Sequence, residues 1–208
     1  MITIIDYGMG NLRSVQKAFE RIRVPANISS DSIKILNAEK LVLPGVGHFA
    51  QGISNLKQKE LFDTVNAAVI ERRIPILGIC LGMQLMTEFS EEGNCEGFGW
   101  VSASTKRFTF HNNGLKIPHM GWNNLLVKNS DSIFKGISTE NFFYFVHSYF
   151  ISCKNESDIL TETVYGNNFV SSFQKENIFG CQFHPEKSHD KGLQILKNFA
   201  DIQIVTSE

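Results

Sequence analysis

Cys80 stands at the centre of Gly78-Ile79-Cys80-Leu81-Gly82-Met83-Gln84, directly after the apolar run Ile74-Pro75-Ile76-Leu77. A buried strand running into a glycine-framed cysteine, with an amphipathic helix behind it, is the pattern of a nucleophile elbow. Such a turn lifts one reactive side chain above the sheet edge. Gly78 and Gly82 remove the Cβ atoms that would clash in it. A helix start behind the cysteine adds unpaired N–H groups and a positive dipole end, which favour thiolate over thiol. Far along the chain, Phe183-His184-Pro185-Glu186-Lys187 offers an imidazole with a carboxylate two positions on. Cysteine, imidazole and carboxylate are the parts of a nucleophilic triad. His184 falls at the end of a strand expected over 180–183, and in extended chain residues two apart point to the same side. Pro185 limits the backbone between them. Glu186 is then expected to orient the ring of His184 while its other nitrogen faces the thiol.

Each of these residues has a plainer reading. A free cysteine is commonly a small buried hydrophobe; Cys95, Cys153 and Cys181 lack the glycine frame and are read so. Pro44-Gly45-Val46-Gly47 can be a simple turn, but two glycines beside a strand end also let backbone N–H groups approach a ligand, as an oxyanion hole requires. Gly8-x-Gly10 follows an apolar run in the manner of a dinucleotide loop. The third glycine of that fingerprint is absent, with Arg13 in its place, and a loop near a partner or substrate surface is preferred. His48, His111, His119, His147 and His189 have no metal-ligand spacing, and no cysteines pair as C-x-x-C, so no metal and no cofactor is expected. His119-Met120-Gly121-Trp122 and Val146-His147-Ser148-Tyr149 combine polar groups with large aromatics; composition does not decide between core packing and a binding surface there.

The elements that must position these groups alternate. Ile2 to Ile5 and Lys40 to Leu43 read as strands buried on both faces. Leu12, Val15, Ala18, Phe19 and Ile22 repeat at helical spacing, and a second helix is expected over Leu61 to Ile70. Strand–helix alternation argues for a parallel sheet with helices on both faces. Beyond the elbow, Trp100 to Phe110, Asn123 to Lys128, Phe142 to Val146, Val170 to Phe173 and Ile178 to Phe183 read as neighbouring strands, added antiparallel at one side. Lys191 to Ile204 reads as a closing helix. One α/β domain over 1–208 is the expectation for 208 residues with no repeat, low-complexity tract or linker. With 20 Lys and Arg against 21 Asp and Glu, no basic stripe points to nucleic acid or a membrane. The N-terminus lacks a leader pattern, and no apolar run approaches the roughly 20 residues a membrane span needs. A cytoplasmic setting with reduced thiols is expected.

The heptad around Cys80 together with Gln182-Phe183-His184-Pro185-Glu186-Lys187-Ser188 resembles the class I (triad) glutamine amidotransferases, over nearly the whole chain. Pro118-His119-Met120-Gly121-Trp122-Asn123 and Tyr144-Phe145-Val146-His147-Ser148-Tyr149 make it most similar to their branch that serves imidazole glycerol phosphate synthesis. The resemblance implies hydrolysis of L-glutamine to glutamate and ammonia by Cys80, His184 and Glu186. Backbone N–H groups of Leu81 and of the Val46–Gly47 loop would form the oxyanion hole. Gln84, Gly45, Ser148 and Tyr149 would bind glutamine. It also implies a heterodimer with a (β/α)8-barrel cyclase/synthase that receives the ammonia, with Asn11, Trp122, Tyr144 and Lys187 at the interface. A paralogous branch supplies ammonia for sugar amidination in surface polysaccharide synthesis, and Gly97-Phe98-Gly99-Trp100 looks more like that branch. A catalytically dead scaffold would lack a triad member, and none is missing. Another hydrolase built on the same elbow would act on something other than free glutamine.

Overall fold

The computed structural model describes residues 1–110 and 114–203; His111 and Ile204 lie outside them. Its main sheet begins as expected. Strands β1 (Ile2–Ile5), β2 (Ala26–Ser29), β3 (Lys40–Gly45) and β4 (Ile76–Cys80) pair in parallel in the order β2-β1-β3-β4. Helix α1 (Leu12–Arg21) connects β1 to β2, and α2 (Ser32–Leu36) connects β2 to β3. Helices α3 (Phe49–Gln58) and α4 (Leu61–Asn66) lie between β3 and β4. The helix expected through Ile70 stops being α-helical at Asn66 and closes as a π turn over Ala67–Glu71.

The sharpest departure follows the elbow. The helix behind Cys80, α5 (Leu81–Gln84), is a single turn. The carbonyls that would extend it are taken from outside: Leu85 accepts from Phe98 N–H at 2.8 Å, and Met86 accepts from Trp100 at 3.0 Å. The chain therefore enters β5 (Thr87–Ser90) instead. One turn sums few peptide dipoles, so the electrostatic help expected from a long helix is small.

The far side of the sheet is antiparallel, as the run of neighbouring strands suggested. After β6 (Cys95–Glu96) and β7 (Val101–Arg107) come β8 (His119–Asn124), β9 (Leu126–Val127), β10 (Phe142–His147) and β11 (Tyr149–Cys153). They are followed by β12 (Ile159–Tyr165), β13 (Asn167–Lys175), β14 (Ile178–Cys181) and the closing helix α6 (His189–Asp201). The sheet continues β4-β14-β13-β11-β7-β5-β6, with β14 parallel to β4, β5 parallel to β7 and the other pairs antiparallel. Strand β14 thus lies beside the elbow strand, with Cys181 opposite Ile79. Two strands stand apart as an antiparallel ribbon, β8–β10, with Trp122 opposite Tyr144 and His119 opposite His147.

Successive strand residues feed opposite faces, as the period of two requires. Ile5, Leu43 and Ile76 join Phe49, Leu56, Leu61 and Val65 of α3 and α4 on one side. Ile4, Val42, Leu77 and Ile79 join Val15 and Phe19 of α1 and Leu196 and Phe199 of α6 on the other. Each fully buried aromatic or aliphatic side chain of these layers stabilises the fold by about 1.5–3 kcal/mol before the loss of chain entropy is counted. Among the described residues no helix is long and apolar enough to cross a membrane.

Candidate active site

Cys80 closes β4 with φ 54° and ψ −110°, a conformation that L-residues other than glycine rarely adopt and that costs of order 1–3 kcal/mol. The flanking glycines are demanded by contact. A Cβ on Gly82 would lie 1.7 Å from the Leu43 carbonyl oxygen of β3, and one on Gly78 would lie 2.7 Å from Met83 N. The elbow is held against the neighbouring strand with no room for a methyl group.

Around the sulfur, Gln182 Nε2 donates to Cys80 Sγ at 3.6 Å, and the thiol reaches the Val146 carbonyl at 3.8 Å. Behind it, His184 Nδ1 and Glu186 Oε1 are 2.8 Å apart, with both side chains 2 % exposed. Sequence reasoning placed this pair in extended chain. Instead His184 ends the extended segment, and Pro185–Lys187 forms a 3-10 turn that curls the carboxylate back under the ring. A carboxylate can only accept, so Nδ1 carries the proton and Nε2 is the nitrogen free for the thiol. Nε2 has no hydrogen-bond partner at ordinary distance among the described residues, and Cys80 acts on the ring first by charge and then as a hydrogen-bonding neighbour. Burial pulls the imidazole pKa down, but the negative charge of Cys80, aided by Glu186, outweighs it and raises the value to about 10. A protonated ring beside a nucleophilic sulfur is poised to hand its proton to a leaving group.

Cys80 opens into a cleft of about 380 Å³ lined by Val46, Gly47, Leu81, Gln84, Glu92 and Val146 to Tyr149. Of the expected substrate contacts, Gln84, Ser148 and Tyr149 are on its wall. Gly45 is not. It is buried, and a Cβ there would strike Tyr7 Oη at 2.5 Å and Leu81 Cβ at 2.8 Å, so its part is to let β3 and the elbow pack closely. Val46 is exposed and Gly47 has φ +114°, leaving this loop beside Leu81 at the cleft mouth. The Gly8–Gly10 turn packs behind it: a Cβ on Gly10 would come within 3.3 Å of Gly45 N. That contact accounts for Gly10 without a nucleotide, and Gly8 has φ +85°, a conformation that favours glycine.

Gln84 Nε2 donates to Tyr149 O at 3.0 Å and to Gln182 Oε1 at 2.9 Å. Both amide hydrogens are committed, so Gln84 offers a ligand its carbonyl oxygen. Several residues here escaped the sequence reading. Gln182 bridges Gln84 to the sulfur. Glu92, whose Oε2 accepts from Phe49 N–H at 2.8 Å, brings a carboxylate to the cleft from a loop with no motif of its own. Tyr7 buries a hydroxyl without a partner among the described residues; burial, then the charge of Cys80, pushes its pKa well above the ordinary value. Only their types could have hinted at them, because the fold alone brings them together.

Two of the four expected interface residues, Trp122 and Tyr144, lie on the ribbon, and the other two lie on the turn and helix beside it. Trp122 is 47 % exposed, stacks on His189 at 4.8 Å and meets Tyr144 edge-on, so core packing does not explain it. The Lys187 ammonium lies 5.7 Å from the Tyr144 ring centre. Met120 and Phe142, both exposed, extend the patch. Asn11 is the exposed N-cap of α1, which packs against the turn carrying Lys187. No cluster of metal-ligating side chains occurs among the described residues.

The family model of the class-I glutamine amidotransferases matches residues 3–202. This chain belongs to that family. The amidotransferase is 46% identical to imidazole glycerol phosphate synthase subunit HisH 2 of Methanococcus maripaludis over 96% of this chain and 98% of that one. It is equally similar, at 46%, to subunit HisH 1 of Campylobacter jejuni over 96% and 99%, and to subunit HisH of Moorella thermoacetica over 97% and 94%. Among solved structures, PurLQS of Thermotoga maritima superposes with TM-score 0.72 at 18% identity, covering 95% of this chain and 96% of that one. The glutaminase domain of Trypanosoma brucei CTPS gives 0.66 at 19%, covering 98% and 95%. These two likenesses speak for the fold.

Proposed function

We propose that this amidotransferase is the glutaminase subunit of an imidazole glycerol phosphate synthase. It hydrolyses L-glutamine at Cys80 and passes the ammonia to a (β/α)8-barrel synthase partner in histidine biosynthesis. The observation that carries the reading is the buried His184–Glu186 pair set behind an elbow cysteine at the mouth of a cleft. Names of the relatives support the pathway.

In this reading the Cys80 sulfur attacks the side-chain amide carbon of glutamine. The developing oxyanion is held by the Leu81 N–H and an N–H of the Val46–Gly47 loop; losing one such donor costs about 2.7–4 kcal/mol in the barrier. His184, protonated at Nε2, gives that proton to the departing ammonia and leaves a glutamyl thioester. It then takes a proton from water as water attacks the thioester, and returns it to the sulfur as glutamate leaves. Glu186 fixes the ring tautomer and stabilises the imidazolium. Glu92 faces the substrate ammonium, and the Ser148–Tyr149 backbone faces the amino-acid end. The ribbon patch of Met120, Trp122, Phe142 and Tyr144, with Lys187 and Asn11 at its border, is the docking face for the barrel.

The sugar-amidination reading leaned on Trp100. That ring is 4 % exposed, stacks on Phe98 at 4.1 Å and donates from Nε1 to Asn66 at 2.8 Å. Packing explains the residue, and it carries no argument about pathway. The test is glutamate release from glutamine by the purified chain, alone and with the histidine-pathway barrel synthase. Stimulation by that partner is expected. Cys80→Ala should abolish glutamate release and leave docking intact. No release by a folded wild-type chain with that partner would overturn the assignment.

A further inference from the structure

His119 and His147 sit directly across from each other on the ribbon and are 3 % and 6 % exposed. Their hydrogen bonds allow only one assignment of protons. His147 Nδ1 lies 2.7 Å from the Tyr149 carbonyl, which can only accept, so Nδ1 bears the hydrogen and Nε2 of a neutral ring is an acceptor. His119 Nδ1, 3.0 Å from that Nε2, must then donate. This leaves His119 Nε2 to accept from Asn123 Nδ2 at 3.3 Å. Asn123 also donates to the Val164 carbonyl at 2.9 Å and accepts from Asn124 N–H at 2.9 Å, which fixes its orientation. Burial keeps both rings neutral, lowering His119 to about 4 and His147 to about 3. A proton added to either would set two donors against each other.

The inner end of this chain meets the cleft. The Tyr149 carbonyl that takes the His147 hydrogen also takes one from Gln84. Both His147 and Ser148–Tyr149 line the wall. The outer end, Asn123, adjoins the half-exposed Trp122. His119 is itself packed between Tyr165, at 4.0 Å, and Phe145, at 4.8 Å, so its ring is fixed independently of the bonds it makes.

We infer that His119 and His147 are positioning residues: a one-way chain of neutral imidazoles that ties the Ser148–Tyr149 edge of the cleft to Asn123 on the ribbon and holds it in shape for glutamine. The inference rests on the glutaminase reading of the cleft. Its effect falls on binding, because the chain ends on the recognition edge and reaches the sulfur only at third hand, through Gln84 and Gln182.

His119→Phe keeps the aromatic packing and removes the Nδ1 donor. It should raise KM for glutamine roughly 3- to 10-fold, the effect of one ordinary hydrogen bond lost. The accompanying change in kcat should stay within about twofold. His119→Asn, whose amide N–H stands near the place of Nδ1–H, should recover most of the loss. A folded His119→Phe variant with unchanged KM, or with the loss confined to kcat, overturns the inference. Nitrogen-15 NMR of the wild-type rings tests the proton assignment without any variant or activity. Both histidines should be Nδ1–H tautomers, the minor form in water, and an Nε2–H tautomer at either position overturns the chain. A wild-type enzyme inert to glutamine would instead defeat the glutaminase reading, with the tautomer result still standing by itself.

Discussion

The main-chain amide of His184 donates to the carbonyl of Tyr144 at 2.9 Å, so the segment bearing the His184–Glu186 pair is fastened to the ribbon bearing the exposed aromatics. Ser188 closes the loop. Its hydroxyl donates to the His184 carbonyl at 2.6 Å and accepts from Tyr144 N–H at 3.0 Å. The three residues form a ring of main-chain and hydroxyl bonds around the base of the Pro185–Lys187 turn. A force applied to Tyr144 is therefore transmitted to the orientation of the ring of His184 through short, buried bonds.

Ser188 is 1 % exposed, and Ser188→Ala takes the hydroxyl away from Tyr144 N–H, whereas the His184 carbonyl still accepts from Lys187 N–H at 3.0 Å. A buried group left unpaired costs about 1–3 kcal/mol, and that loss should be measurable by denaturant unfolding. The glutaminase kcat should fall as well, since the turn that orients His184 is loosened, while KM changes little. A variant that loses stability but keeps full kcat would separate the clamp from the chemistry.

The charge of Cys80 is the largest influence raising His184, against the burial that lowers it. Cys80→Ser removes that charge and leaves the burial. The His184 titration, followed by ring NMR, should move from about 10 to well below that value. The sign for stability follows from linkage. A ring whose folded pKa lies above its unfolded value of about 6.5 holds more protons when folded, so its contribution is complete below that pH. It is lost as pH rises towards 10. Wild-type protein should therefore lose more stability than Cys80→Ser from this ring across that window.

Much of the site was legible because its chemistry is written in local pattern. Cys80 between two glycines and the strand before it announce the elbow, and the Leu43 carbonyl 1.7 Å from a Gly82 Cβ shows why glycine is required. The two-residue spacing brings His184 and Glu186 together, but through a 3-10 turn rather than the extended chain that the spacing predicts. The one-turn α5 was not legible. Its length is set by Phe98 and Trp100 taking the Leu85 and Met86 carbonyls that follow it, a contact between segments that periodicity does not record. Gln182, Glu92 and the His119–His147 pair share that character: each acquires its role from a strand or loop distant in sequence.

Gly82→Ala tests how tightly the elbow is built. Overpacking typically costs about 1–3 kcal/mol, and backbone rather than a flexible side chain is the obstacle here, which puts this substitution at the upper end. For a chain of this size that is a fall in Tm of about 6–12 °C, with glutaminase activity lost as the sulfur shifts. Gly52→Ala in α3 is the control. Its Cβ would meet Leu85 Cδ2 at 3.1 Å, a side-chain tip that can give way, while the helix gains about 0.8–1.0 kcal/mol in propensity. Equal losses in the two variants would show that the elbow is not specially constrained.

Glu92 is a carboxylate at the cleft wall with one oxygen engaged by Phe49 N–H. Glu92→Gln keeps an oxygen to accept that bond and removes the charge. If the carboxylate faces the ammonium of glutamine, KM should rise roughly tenfold, the lower end of what a hydrogen bond to a charged group contributes because the site is open to solvent. The value of kcat should hardly move, since the ammonium is remote from the amide that reacts. A glutamine analogue lacking the amino group makes the assignment specific. The wild-type enzyme should favour glutamine over this analogue, and Glu92→Gln should lose most of that preference by weakening glutamine alone. Equal weakening of both compounds would mean that Glu92 supports the Phe49 turn and the shape of the cleft, and that the ammonium is recognised elsewhere.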